Sequence, residues 1–422
     1  MSWSEVLRSN SFSVGLAPQS TDINTAGASF TYIDCEMPQL AYESSQTANR
    51  RARRARGAGT KRGTGRVWPT LAIRYPLHGQ VSTYAHASDS PGLVGAMRLL
   101  DWLGGSSALA YANNNITTTD ANTFSLASSQ AKMGCLVAAV ESTGLVAAMG
   151  FARTIGSGGP YVTELAEDVG VVSGATRPRC PTYNIYPSAT APEPLTVRIL
   201  GESAAMQRDF VGGLPRRIRL APDQDDRWYA TTELVFYGGE GPRNGGGGGL
   251  QTQADYLAME PQLSRGSTRW VVGSNVFTSL ADGTADPDGT CDVRDPEIVI
   301  EFDHYVKRCG TKGQGVADVV MGLASVMASF TVPDISDFEV SNEFVAEKAW
   351  RDLSEISLGL YMGDTPGRLL ALRMPRGIPT VWPEPVFVDD VQHRRISLEA
   401  GAHAVDASSS DAGNKIITLA VG

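Results

Sequence analysis

The sequence predicts a mainly β protein with a few helices, of β-sandwich or barrel type, built as two tandem domains. Three observations predict it. Forty-five glycines and 23 prolines are spread along 422 residues, the punctuation of many short strands. A chain of this length exceeds one typical core and suits two. One unit also recurs. Leu214-Pro215-Arg216-Arg217-Ile218 leads through Pro222 and Asp225-Asp226 into an alternating run at 227–234. Met374-Pro375-Arg376-Gly377-Ile378 leads through Pro383 and Asp389-Asp390 into a similar run at 394–399. Both read as a proline-marked basic turn, a short loop, an acidic pair and a strand.

Residues 1–27 are rich in Ser, Thr and Asn and read as an N-terminal arm. A first domain spans 28–238. It opens with a strand at 28–37, holding Phe30, Tyr32 and Ile33, and a long polar, basic loop at 38–66. A strand at 67–75 follows, where Leu71, Ile73 and Tyr75 share a face by period-two alternation. Pro91-Gly92 opens a helical pattern through Leu93, Val94, Met97, Leu100 and Leu103, which Gly104-Gly105 ends. Residues 104–180 read as an insertion that includes a hairpin at 135–140 and 145–151. Strands are expected at 183–186, 195–200 and 227–237, the last with Trp228, Ala230, Thr232, Leu234 and Phe236 facing one way.

Residues 239–265 contain five consecutive glycines, Gly245 to Gly249, and read as a flexible linker. A second domain spans 266–422. Strands are expected at 270–277 and 298–306, with Ile298, Ile300 and Phe302 on one face of the latter. Val316, Val319, Val320, Leu323, Val326, Met327 and Phe330 fit helical spacing and predict a helix over 316–330. Further strands are expected at 338–344, 356–361, 368–373, 395–400 and 415–421. Each half thus runs strand, helix and a group of strands.

Charge is unevenly placed. Arg50, Arg51, Arg53, Arg54, Arg56, Lys61, Arg62 and Arg66 form a basic segment with no acid in it. The whole chain carries a formal charge of −9; without these eight it holds 28 basic and 45 acidic residues, −17. Charges this dense repel one another and stay out of a core, so the segment is exposed or meets an anionic partner. Three readings are open: the anionic body of a neighbouring copy, a solvated loop, and nucleic-acid phosphate. The first is favoured, because charge asymmetry within one chain is a ready basis for head-to-tail self-assembly, and no aromatic is interleaved to stack on bases.

Nothing in the sequence marks an enzyme. The five histidines show no metal-ligand spacing, and no strand–GxSxG–helix elbow occurs. The glycine-lysine stretches at 57–63 and 310–315 lack the Walker spacing. His304 reads as an ordinary strand histidine. No catalytic, metal or cofactor site is expected. Five widely spaced cysteines without a CxxC suit free thiols in a reducing compartment. No signal peptide or membrane span is visible, and no membrane partner is expected.

Together these features resemble the phage tail tube protein family, in the form where one chain carries two tandem tube domains. The loop at 38–66, one helix per half, the repeated turn-and-strand unit and the apolar run Lys415 to Val421 carry the resemblance, which covers the chain from about residue 28. The resemblance implies two β-sandwiches flanked by helices. It also implies a structural virion protein whose homotrimeric, pseudo-hexameric rings stack head-to-tail into a channel for double-stranded DNA. The basic segment becomes the candidate contact between rings or subunits. Implied partners are other copies and further tail proteins such as terminator, tape measure and baseplate. The implied location is the virion tail, after synthesis in the host cytoplasm. A distal tail or baseplate hub with a tube-like fold is the alternative. A capsid or decoration protein, or an enzyme with a dispersed site, fits less well.

Overall fold

The structure is a computed structural model. It describes residues 12–19, 22–44, 48–49, 61–62, 67–79, 95–109, 117–120, 123–126, 134–140, 145–155, 161–165, 182–187, 193–201, 207–223, 227–241, 250–251, 269–272, 275–278, 293–308, 316–333, 344–363, 365–388, 390–401 and 416–422. The chain is mainly β, as its sequence predicts. It opens with β1 (Phe12–Pro18), β2 (Thr31–Ile33), β3 (Gln39–Ser44), the small β4 (Ala48–Asn49) and β5 (Lys61–Arg62), then β6 (Val67–Pro76). A 3₁₀ helix (Gly95–Leu103) leads into β7 (Gly104–Leu109), β8 (Thr117–Asp120), β9 (Thr123–Leu126) and β10 (Leu136–Val140). Next come β11 (Val146–Ile155), β12 (Tyr161–Leu165), β13 (Thr182–Pro187), β14 (Leu195–Gly201), β15 (Arg208–Pro222) and β16 (Trp228–Glu240). Then follow β17 (Arg269–Val272), β18 (Asn275–Thr278), β19 (Arg294–Arg308), β20 (Val316–Pro333) and α1 (Val345–Asp352). The last strands are β21 (Ile356–Met362), β22 (Leu370–Pro379), β23 (Glu384–Val388), β24 (Val391–Ala400) and β25 (Thr418–Val421).

The ladders repeat. On the N-terminal side β2 pairs β1, β1 pairs β14, β14 pairs β15, β15 pairs β16, β16 pairs β6 and β6 pairs β3, all antiparallel. On the C-terminal side β18 pairs β17, β17 pairs β21, β21 pairs β22, β22 pairs β24, β24 pairs β20 and β20 pairs β19, again all antiparallel. Following partners around both sets gives one residue correspondence. Leu16 answers to Val272, Ile33 to Phe277, Leu40 to Ile298, Leu71 to Ala328, Val197 to Leu358, Gly213 to Gly377 and Leu234 to Leu398. Core positions agree with it: Leu71, Ile73 and Tyr75 are buried on β6, as are Ala328, Phe330 and Val332 on β20. A bulge also coincides, between Leu195 and Val197 in one set and between Ile356 and Leu358 in the other.

This correspondence corrects the recurring unit in detail. Pro215 answers to Pro379, not to Pro375, because Gly213 and Gly377 occupy the equivalent ladder positions. The basic residues read as a turn lie within strands. Pro215 is accommodated beside a register shift between Pro215 and Arg217, where a bulge relaxes the demand for every N–H.

Further expectations change. The loop expected at 38–66 begins with a sheet strand, β3, paired to β6, and the strand expected at 270–277 is two antiparallel strands, β17 and β18. Residues 316–330 form strand β20, not a helix. Partners Glu301↔Ser325 and Phe302↔Leu323 leave Ala324 as an extra residue. This bulge switches the inward parity from Val319 and Leu323 to Val326, Ala328 and Phe330, which imitates helical spacing. The N-terminal stretch is no arm from Phe12 onward: β1 sits between β2 and β14, with Val14, Leu16 and Ala17 buried. The helix expected from Leu93 is the tighter 3₁₀ form over Gly95–Leu103, which buries Met97, Leu99, Leu100, Trp102 and Leu103. Its start at Leu93 and Val94, the glycine run 245–249 and the strand at 338–343 lie outside the described residues. Phe344 instead adjoins α1.

Strands β7 to β13 have no counterpart among the described C-terminal elements. They add a sheet in the order β10-β11-β12-β9-β8, and β13 rejoins the main sheet through β7 and β25. The two ladder sets join edge to edge, β15 pairing β19 from Arg217↔Glu301 to Leu220↔Ile298. One core cluster accordingly runs from Val14 through Phe210 and Ile300 to Val421.

Candidate assembly interface

The junction of β15 with β19 has two chemically distinct faces, as period-two alternation requires. Arg-Arg-Ile-Arg-Leu at 216–220 meets Glu-Ile-Val-Ile-Glu at 297–301. Ile218, Leu220, Ile298 and Ile300 point inward and are at most 2% exposed. Burial of such side chains contributes about 1.5–3 kcal/mol each.

The other face carries charge pairs across the strands. Arg219 Nε donates to Glu297 Oε1 at 2.5 Å, Arg217 Nε lies 3.7 Å from Glu301, and Arg216 Nη1 lies 3.7 Å from Glu233 on β16. Farther along, Arg74 on β6 lies over the Tyr229 ring at 3.9 Å, 3.3 Å from Asp223, and pairs with Glu36. All these side chains are partly exposed, so each pair is worth about 0–1 kcal/mol. The apolar side therefore holds the junction, and the charged side keeps the open face polar and in register. On β24 the same face continues with Arg395 and Glu399.

Past the junction the β19–β20 hairpin is clamped by His304. Its Nε2 lies 2.7 Å from the Pro215 carbonyl oxygen and its Nδ1 2.7 Å from the Tyr237 hydroxyl. A carbonyl only accepts, so Nε2 carries the proton and Nδ1 accepts from the phenol. Tyr237 packs edge-on against His304 and against Trp68. Burial holds the imidazole below its usual range; the Pro215 bond and Asp303 oppose this, and Arg216 adds to it. His304 is thus a neutral clamp on the bulged segment of β15. His78, also buried, has its Nδ1 2.8 Å from the Gly79 carbonyl and is likewise shifted down by burial.

The predicted basic contact residues are only partly placed. Lys61 and Arg62 form β5, opposite Asn49 and Ala48 on β4. Both strands belong to the connection between β3 and β6. Arg50, Arg51, Arg53, Arg54, Arg56 and Arg66 lie outside the described residues. Cys35 is a free thiol, and burial, with Asp34 and Glu36 beside it, pushes it up to about 12.

Sequence reasoning missed the junction itself. Its signal was present as two alternating runs with opposite charge, Arg216–Leu220 and Glu297–Glu301. No helix among the described residues is long and apolar enough to cross a membrane. No protein-family model matches the chain, and no curated protein matches it in sequence.

Proposed function

We propose that this chain is a structural virion protein that forms the stacked rings of a phage tail tube. The repeat of six antiparallel ladders, joined into one sheet by β15 and β19, carries the reading. Each set is a tube-like unit on this view, and three chains supply six units to a ring. A closed ring of sheet leaves no exposed edges. The polar, ion-paired face described above would then line a water-filled channel. A body of net negative charge repels DNA phosphates, so the wall conducts without binding. Contacts from the basic segment to the anionic body of the next ring would drive stacking. Terminator, tape measure and baseplate proteins are the proposed neighbours in the virion tail.

Electron microscopy of the purified protein tests this. Long tubes with a central channel are the expected result. Isolated rings that never stack would transfer the reading to a distal tail or baseplate hub. Monodisperse monomers at every salt concentration would end it.

A further inference from the structure

The internal junction also identifies the surfaces by which two copies meet. The correspondence that maps β24 onto β16 pairs Arg394 with Ala230 and Arg395 with Thr231. The ladders Glu384↔Arg395 and Pro385↔Arg394 then place Glu384 at the position of Arg219 and Pro385 at that of Leu220. Strand β23 is thus the counterpart of the outer half of β15, the half that pairs β19. By the same mapping β3 is the counterpart of β19, with Leu40, Ala41 and Tyr42 standing where Ile298, Val299 and Ile300 stand.

Burial separates the covered pair from the uncovered one. Val299 and Ile300 are 6% and 1% exposed, whereas Tyr42 is 50% exposed and Ala41 is also exposed. On β23 the residues Glu384 to Phe387 are all exposed, Phe387 by 71%. Among the described residues β23 has a ladder only with β24, and β3 only with β6. Exposed edge strands bearing apolar side chains are templates for pairing with another chain.

We propose that β23 of one copy pairs antiparallel with β3 of a second copy of this chain, in the register of β15 on β19. Arg219↔Val299 becomes Glu384↔Ala41, and Leu220↔Ile298 becomes Pro385↔Leu40. Gln39 takes the place of Glu297, so the Arg219–Glu297 ion pair is replaced by a Glu384 carboxylate facing the Gln39 amide. The contact is heterologous, since the two edges differ, and it propagates head to tail until a ring or filament closes. It names the surface that the self-assembly reading requires, although it is built from the ladder repeat and not from that reading.

Site-directed cross-linking of the full chain tests it. A41C and E384C, made in separate chains and mixed under mild oxidant, should give covalent dimers. The double variant should give a ladder ending at trimer. Each single variant alone sets the background from native thiols. L40C mixed with E384C puts the thiols on opposite faces and should give at least tenfold less product. Rings or tubes seen by microscopy without the A41C–E384C product would overturn this edge pairing and leave the tube reading intact. Cross-linked trimers that never stack would uphold the pairing and count against the tube. Equal yields from the L40C and A41C mixtures would overturn the register.

Discussion

Replacing Ile300 by Ala asks whether the two ladder sets share one stability. Ile300 is 1% exposed on β19 and faces Ile218, 0% exposed, on β15. The substitution removes three carbons. At about 0.8 kcal/mol per buried methylene the transfer cost is about 2.4 kcal/mol. The unfilled space, bounded by strands that cannot collapse freely, raises this to about 3–4 kcal/mol, within the range for Ile→Ala. Neutralising the neighbouring charge, Arg217→Ala, should cost under about 1 kcal/mol, because its pair with Glu301 is nearly half exposed on each side. Hydrogen exchange followed by mass spectrometry separates the outcomes. In I300A, amides of β6 and β16 should lose protection together with those of β20 and β24. A loss of about 3 kcal/mol corresponds to an opening constant raised by about 150-fold. Loss confined to β19, β20 and β24 would refute the shared core. So would an R217A effect as large as that of I300A.

Other consequences are separately measurable. His304 is held below its usual range by burial, so the native state resists a proton that the unfolded chain accepts near pH ~6.5. Stability from this clamp is present above that pH and declines as pH falls through the window below it. H304Q, which cannot titrate, should flatten that part of a denaturant-midpoint versus pH curve; an unchanged slope would remove the assignment. Gly212 has φ +73° and an added Cβ would lie 2.5 Å from the Ile23 carbonyl oxygen. Gly212→Ala should therefore cost at least ~1–3 kcal/mol in urea unfolding, and a neutral effect would contradict this geometry. Neutralising Arg50, Arg51, Arg53, Arg54 and Arg56 should abolish stacking of rings while the circular dichroism stays that of the wild type. Tubes of normal length from that variant would give the segment another task.

Legibility in the sequence varied with the neighbourhood of each residue. Strands with one wet face were readable, as at Leu71, Ile73 and Tyr75 or at Ile298 and Ile300, because alternation records burial directly. β20 was misread because the extra residue Ala324 shifts its phase midway. β1 was missed because Ser13 and Gly15 dilute the apolar signal of Val14 and Leu16; a Cβ on Gly15 would meet the Tyr32 and Phe30 rings at 3.0 and 3.2 Å. The duplication was suspected from a proline and its arginines, yet the ladders align other residues. Proline marks a local backbone need, which recurs at non-equivalent sites.

By itself the sequence determined the β class, the inward and outward faces of β6, β16 and the middle of β19, and the concentration of positive charge in one segment. These follow from composition and from the two-residue period of an extended chain, which are local. Only the tertiary structure decided which strands are neighbours, that β15 and β19 fuse the two ladder sets, and that, among the described residues, β3 and β23 are left as matching edges. Pairing is a long-range choice: residues such as Leu220 and Ile298 meet because both backbones need hydrogen-bond partners and both side chains need the same core.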